Sequence, residues 1–251
     1  MSYYGIAPDA ALIVVNAFGE QSQGSYPDVI RCLDWVWQNQ PQFSIRVVNL
    51  SFSATPQSHY WDDLINQAVM RLWQAGIVVV ASAGNTGPNA MTIGVPGNVP
   101  YIVTVDAMTN SDTPDDRRDD RLTWFTAAGP TQEGFVKPDL VAPGGHRRGV
   151  MPKDGYIPRT FQQFHDGKSY FAMSGTSQAT AMFPQVESAA NQGLDLAADI
   201  EGTTHYRGRA NRDANSNYYI EGLDGFMWND SLGETMSTNT WVGQQSARAG
   251  R

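Results

Sequence analysis

Leu64-Ile65-Asn66-Gln67-Ala68-Val69-Met70-Arg71-Leu72-Trp73-Gln74-Ala75-Gly76-Ile77-Val78-Val79-Val80 is the stretch that decides the fold of this chain. Between Tyr60 and Ala75 the pairs Leu64/Ile65, Ala68/Val69 and Leu72/Trp73 recur every four residues, the spacing that lays one apolar stripe along a helix. Gly76 can take the left-handed conformation that ends such a helix. The β-branched run Ile77 to Val80 follows at once. Because it is continuously apolar rather than alternating, it reads as a strand covered on both faces.

The same alternation extends in both directions. Upstream, Ala11 to Val15 reads as a short buried strand. Pro27 and Asp28 then open a helix with apolar residues at 29, 32, 33 and 36, and Ile45 to Leu50 forms another strand. Downstream, Ile102 to Val105 is a fourth. Strands separated by amphipathic helices predict an α/β fold: a three-layer, doubly wound and mostly parallel sheet built from right-handed crossovers. Ligands of such sheets lie beyond the carboxyl ends of the strands, so the polar residues after Leu50 and Val80 are the ones to inspect.

Composition narrows the partners. The chain has 251 residues, 41% of them hydrophobic and 17% charged, with a formal net charge of −8. That length can bury a sizeable core. The acidic balance argues against nucleic acid, which wants a surplus of Lys and Arg on one face, and no apolar run approaches a membrane span. Cys32 is the single cysteine, which excludes an internal disulfide. Its place among Val29, Leu33 and Val36 predicts a small buried core residue rather than a reactive thiol. The start, Met1-Ser2-Tyr3-Tyr4-Gly5, has neither the basic end nor the apolar stretch of a secretion signal.

Three segments carry chemistry. Ser177 stands in Met173-Ser174-Gly175-Thr176-Ser177-Gln178-Ala179-Thr180-Ala181, after a glycine turn and ahead of residues able to start a helix. A nucleophilic hydroxyl needs that placement, because a tight turn exposes the oxygen and leaves backbone N–H groups facing the substrate. Past the Ile77 strand, Ala81-Ser82-Ala83-Gly84-Asn85 lets a substrate backbone lie close and presents the Asn85 amide at the strand end. Past the Ile45 strand, Ser51-Phe52-Ser53 could pair its backbone with an extended peptide. Taken singly, each has a plainer reading as a turn or a strand end.

Together and in this order, the three segments resemble the subtilisin-like serine proteases, the subtilases. Val136-Lys137-Pro138-Asp139-Leu140-Val141-Ala142-Pro143-Gly144-Gly145 is similar to that family's K-P-D-x-x-A-P-G stretch, and Gly5-Ile6-Ala7-Pro8-Asp9-Ala10 to the turn that leads into a core strand. The resemblance runs from about residue 5 to residue 182. It implies a serine-type endopeptidase of the subtilisin fold, acting on polypeptide through an acyl-enzyme. Ser177 would be the nucleophile and Asn85 the side-chain donor to the oxyanion. Ser51, Phe52 and Ser53 would bind the substrate strand, although the family usually has glycine where Ser53 stands. Ala81, Ser82, Ala83 and Gly84 would form the other wall of the pocket. The resemblance also implies an extracellular protein.

The departures set further expectations. The mechanism needs a histidine to take the serine proton and an aspartate to orient it. The family carries these in His-Gly-Thr-His and Asp-Ser/Thr-Gly contexts, and neither occurs here. The only histidines are His59, His146, His165 and His205, none followed by glycine. By the resemblance, the chain starts just after the place where both groups would lie, so the domain is expected to be incomplete at its N-terminus. A preceding segment or a separate chain would have to supply them. Two alternatives stay open: a non-catalytic homologue that binds extended peptides, and a truncated product without function. After Ser177 the family's proline four positions on is Ala181 here, and Pro184 would interrupt the helix.

Two domains are expected, a partial peptidase domain over 1–190 and an appendage over 191–251. In the second, Asn, Asp, Gly and aromatic residues suggest small β-hairpins, and the last ten residues suggest disorder. No cofactor is required, but subtilases often bind calcium and two places could offer it. The run from Asp112 to Arg121 is acidic but interleaved with arginines, which favours a solvated loop with local ion pairs. Asp213, Asn215 and Asn217, with Asp224 as a closing ligand, alternate as in a calcium loop. Tyr218 stands where that loop needs glycine, so an Asx-rich turn cluster is the simpler reading.

Overall fold

A computed structural model describes residues 10–19, 21–111, 113 and 117–182, and the backbone of three short strands further on. Helix α1 (Tyr26–Phe43) starts where Ser25 accepts a hydrogen bond from the Asp28 N–H, with Pro27 in the first turn as expected. It ends at Ser44, in left-handed geometry. Strand β1 (Val47–Leu50) follows. Helix α2 (Leu64–Gln74) is capped by Asp63, whose carboxylate accepts from the Ile65 and Asn66 N–H groups. Gly76, at φ +82°, makes the turn into β2 (Val78–Ser82). The second Asp63 oxygen accepts the Tyr26 hydroxyl at 3.0 Å, so one buried carboxylate caps α2 and ties it to α1. Burial, and then the Asp63 charge, push the Tyr26 hydroxyl pKa up to about 12.

The remaining elements are β3 (Val103–Thr109), β4 (Arg121–Leu122), β5 (Leu140–Pro143), β6 (Arg147–Val150), α3 (Tyr156–Thr160), β7 (Tyr170–Met173) and α4 (Thr176–Ala181). Strands β1, β2, β3 and β5 pair in parallel, with Asn49 opposite Val80, Ala81 opposite Thr104 and Ala107 opposite Ala142. The short β4 adds to β3 in the antiparallel sense, and β6 and β7 form a separate hairpin. Along the sheet, alternate side chains go to opposite faces. Leu50, Val79 and Ala81 join Val29, Leu33, Val36, Ile65, Val69 and Leu72 of α1 and α2. Val80, Val105 and Ala107 pack against Ala179 of α4 on the other face. The result is the expected three-layer α/β arrangement, with helices on both sides of a mostly parallel sheet.

Four expectations need correction or completion. Residues 11–15 form no strand. Leu12 and Val14 are 86% and 80% exposed, and only Val15 reaches the core. An apolar run becomes a strand only when another backbone takes up its N–H and C=O groups, and among the described residues none does. Cys32 is half-buried rather than a core residue, because its thiol lies at the edge of the buried face, 3.6 Å from the Asn16 carbonyl; burial pushes its pKa up. Strand β3 runs four residues beyond Val105, through a buried acid. Helix α4 ends at Ala181, and Pro184 lies outside the described residues. So do the boundary near 190, the last ten residues and most of the proposed calcium loop. Within 191–251, β8 (Ala210–Arg212), β9 (Asn217–Ile220) and β10 (Met227–Asn229) form one antiparallel sheet.

Two buried ionisable side chains hold the middle of the sheet. Lys137 is 1% exposed, and its ammonium donates to the Ile102 carbonyl at 2.7 Å and pairs with Asp139 at 2.6 Å. Asp139 also accepts the Thr104 N–H at 2.7 Å, so the pair locks the approach to β5 onto the start of β3. Asp106, on β3, is fully buried against the Thr126 hydroxyl, which in turn accepts the Ala107 N–H at 2.9 Å. Desolvation raises its carboxyl well above the ordinary value, opposed by those hydrogen bonds.

Each of the two yields a stability prediction. Lys137→Met should cost about 3 kcal/mol in urea unfolding, because it leaves Asp139 without its cation. A carboxyl with a raised folded-state pKa adds stability below its unfolded value of about 4, and loses it as pH rises through the folded value. Asp106→Asn should therefore be more stable than the native chain at pH 7–8, with the gain gone at pH 3.5.

Candidate active site

The carboxyl ends of β1 and β2 and the start of α4 meet at one place, because α4 packs on the sheet face over β2 and β3 and its first residues reach the segments that leave β1 and β2. Gly175 fixes the approach: its N–H donates to the Gly144 carbonyl at 3.0 Å. A side chain on Gly144 would strike the Gly175 carbonyl at 2.6 Å, which explains the glycine after β5. Thr176, 1% exposed, opens α4. Its N–H and its hydroxyl both donate to Asn85 Oδ1, at 2.9 and 3.1 Å, and its oxygen accepts the Gly84 N–H at 3.3 Å. A backbone N–H can only donate, so this contact identifies the Asn85 oxygen and leaves the Nδ2 group turned the other way. Asn85 itself is exposed.

Ser177 and Ser51 form a reciprocal pair. The Ser177 hydroxyl donates to the Ser51 carbonyl at 2.8 Å, and the Ser51 hydroxyl donates to the Ser177 carbonyl at 3.0 Å. Asn49 Nδ2 donates to the Ser51 oxygen at 2.8 Å and steadies it. Segment 51–54 and segment 81–84 run side by side and are tied by the Ser82 hydroxyl, which donates to the Phe52 carbonyl at 2.8 Å. Gly84 adopts φ +118°, a conformation reserved for glycine, as the chain leaves β2. Ser177, Ser51 and Asn85 are thus brought together where segments 51–54 and 81–84 meet α4, whereas Ala81, Ser82, Ala83 and Gly84 are buried, and Ala81 belongs to the core beneath α1 and α2.

Among the described residues, no histidine hydrogen-bonds Ser177. His59 lies 3.4 Å from Glu133 and stacks on Trp61. The His146 N–H donates to Ser174 Oγ at 2.9 Å. His165 accepts the Gly167 N–H on Nδ1, so its proton is on Nε2, which donates to the Met151 carbonyl at 3.0 Å. His205 lies outside the described residues. Also among the described residues, no group of three His, Cys, Asp or Glu side chains could hold a metal ion, and no helix is long and apolar enough to cross a membrane.

The profile described as "Subtilase family" matches residues 2–186. The chain belongs to the subtilase family. Serine protease AprX of Bacillus subtilis (strain 168) is 36% identical over 183 residues, covering 71% of this chain and 41% of that protein. Subtilisin E of the same strain is 28% identical over 230 residues, covering 87% and 49%. The chain thus spans about half, or less, of the length of these curated relatives. The fold matches solved subtilase structures. The S41 psychrophilic protease superposes with a TM-score of 0.59 at 23% identity over 79% of this chain and 60% of its own, and Sphericase with 0.57 at 20% identity over 81% and 59%. The family is one of serine endopeptidases, so this is a hydrolase fold whose relatives act on polypeptide.

Thr176 is the residue that sequence reasoning missed. It sits inside the Gly-Thr-Ser motif, where the serine drew attention, and only its burial reveals that it positions Asn85. Thr176→Val keeps the shape but removes both the hydroxyl donor and the acceptor for Gly84 N–H. It should lower stability by about 1–2 kcal/mol in denaturant titration, the cost of buried groups left unpaired.

Proposed function

We propose that this chain carries the nucleophile half of a serine endopeptidase site. Ser177 would attack the scissile carbonyl, and Asn85 Nδ2 with the Ser177 N–H would hold the oxyanion. Segments 51–53 and 81–84 would take the substrate on either side. The observation that carries this reading is the anchoring of Asn85 through its oxygen: with Oδ1 committed to Thr176, the amide can only offer its N–H₂ side. Preorganisation of that kind lowers the barrier, because the donor needs no rearrangement when charge develops.

The Ser177 hydroxyl now donates to the Ser51 carbonyl, which cannot serve as a base. A histidine and its aspartate would come from a segment carrying the family's two missing motifs, and their arrival would redirect the Ser177 hydroxyl from Ser51 to the imidazole. Without them the chain is expected to be slower by about 10⁶ in kcat, a magnitude taken from subtilisin itself. Export is proposed on the same family grounds, as is occasional calcium binding. A second reading is favoured because no histidine among the described residues hydrogen-bonds Ser177: a peptide binder that engages extended chains without cleaving them.

The two separate by experiment. The chain is joined to the residues encoded immediately upstream of it, or to a subtilase segment bearing both motifs, and treated with a fluorophosphonate probe. Labelling that disappears in Ser177→Ala, with peptide hydrolysis reduced about 10²–10³ in kcat by Asn85→Ala, is the expected outcome; that size, too, is the one known for subtilisin. Peptide binding with no labelling would leave the binder reading in its place.

A further inference from the structure

Segments 51–54 and 81–84 are joined from below by a third, at Gly94 and Val95. The Ala54 N–H donates to the Val95 carbonyl at 2.9 Å, and the Val95 N–H returns the bond at 2.8 Å. The neighbouring Gly94 N–H donates to the Ala83 carbonyl at 2.9 Å. Gly94 is thereby fixed between segment 51–54 and segment 81–84, and it is buried. Neither Gly94 nor Gly84 brings a side chain into the space between these segments. One residue does. A β-carbon on Gly94 would collide with Ser53 Oγ, lie 3.3 Å from Ser53 Cβ and press on the Ala54 carbonyl oxygen at 2.8 Å, so Ser53 is the only side chain among its nearest contacts. One on Gly84 would lie 3.0 Å from the same oxygen, 3.6 Å from the same Cβ and 3.6 Å from Ala127 Cβ. The Ser53 side chain therefore occupies the room that the two glycines leave empty, while the residue stays exposed on its outer side.

We propose that Ser53 sets the size of the residue accepted ahead of the scissile bond and restricts it to glycine, alanine or serine. The inference rests on reading these two segments as the substrate cleft. A side chain lying between the walls would have to share the space with Ser53. Rotating the hydroxyl away frees only part of it, because Cβ remains within van der Waals reach of both glycine positions. The third segment cannot drop either, since Gly94 and Val95 are hydrogen-bonded to both walls. A close-packed site of this kind discriminates by volume, with one or two extra carbons worth tens-fold in preference. An aromatic ring exceeds the available space by far more than that.

The test uses the 251-residue chain and needs no catalysis. Dye-labelled tetrapeptides ending in Gly, Ala or Phe are titrated and read by fluorescence anisotropy, with circular dichroism as the check on folding. The native chain should bind the Ala peptide at least ten-fold tighter than the Phe peptide. Ser53→Gly should bring the two within about three-fold. Ser53→Ala, which keeps Cβ and the backbone restraint, should recover only part of the difference, and it decides the matter if Ser53→Gly does not fold. Equal binding of Ala and Phe peptides by the native chain, or an unchanged ratio in both variants, would overturn the size rule while leaving the cleft reading in place. Folded protein that binds none of the peptides, native or variant, would sink the cleft reading and the size rule with it.

Discussion

The buried threonine at the head of α4 is the constraint on which the site depends. Three hydrogen bonds converge on Thr176, two to Asn85 and one from Gly84, and they join α4 to the segment leaving β2. The next residue reaches in the other direction, to the segment leaving β1. Two adjacent residues thus gather three chain segments separated by as many as 126 positions in sequence. Each bond alone is modest, about 1 kcal/mol net, but leaving any of these polar groups unpaired where water is excluded costs more. The site is held less by the strength of its contacts than by the penalty for breaking them one at a time.

That arrangement is possible because the parallel sheet delivers its strand ends to one edge. Strand β2 is buried along almost all of its length and β1 ends in the buried Leu50, so both runs end where backbone groups regain polar partners. The Asp139–Lys137 pair and the Thr126–Asp106 contact meet a similar need in mid-sheet. There the chain places ionisable side chains in the interior, each with a matched partner: a carboxylate and a backbone carbonyl for Lys137, and a hydroxyl for Asp106, whose neutral form burial favours.

How far the sequence foretells this follows from the same physics. Helices α1 and α2 are legible because their stripes repeat every three to four residues, and Gly76 marks an end that only a left-handed residue can make. The site segments are legible because small residues and glycines crowd wherever backbones approach closely. Residues 11–15 mislead, since apolar content says that a segment wants burial but not that a partner strand is there to pair it. Strand β3 extends past its apolar run because Asp106 finds Thr126, a contact from 20 positions away that no local pattern records. Thr176 and Gly94 go unnoticed for a related reason. Their roles lie in whom they touch across the fold.

The Ser177–Ser51 pair shows how structure and chemistry bear on each other here. A serine hydroxyl donating to a carbonyl is satisfied, and a satisfied donor has no reason to attack. A base approaching Ser177 must outcompete the Ser51 carbonyl, and a neutral imidazole nitrogen can do so only if it is already oriented, since otherwise it pays entropy to replace one good hydrogen bond with another. The aspartate that orients such a histidine therefore acts on the resting state as well as on the transition state. On the proposed reading, once the hydroxyl turned away the Ser51 carbonyl would become a free acceptor, to which an extended peptide could offer an N–H. Recruiting the base and docking the substrate strand would in this way be linked through one carbonyl oxygen.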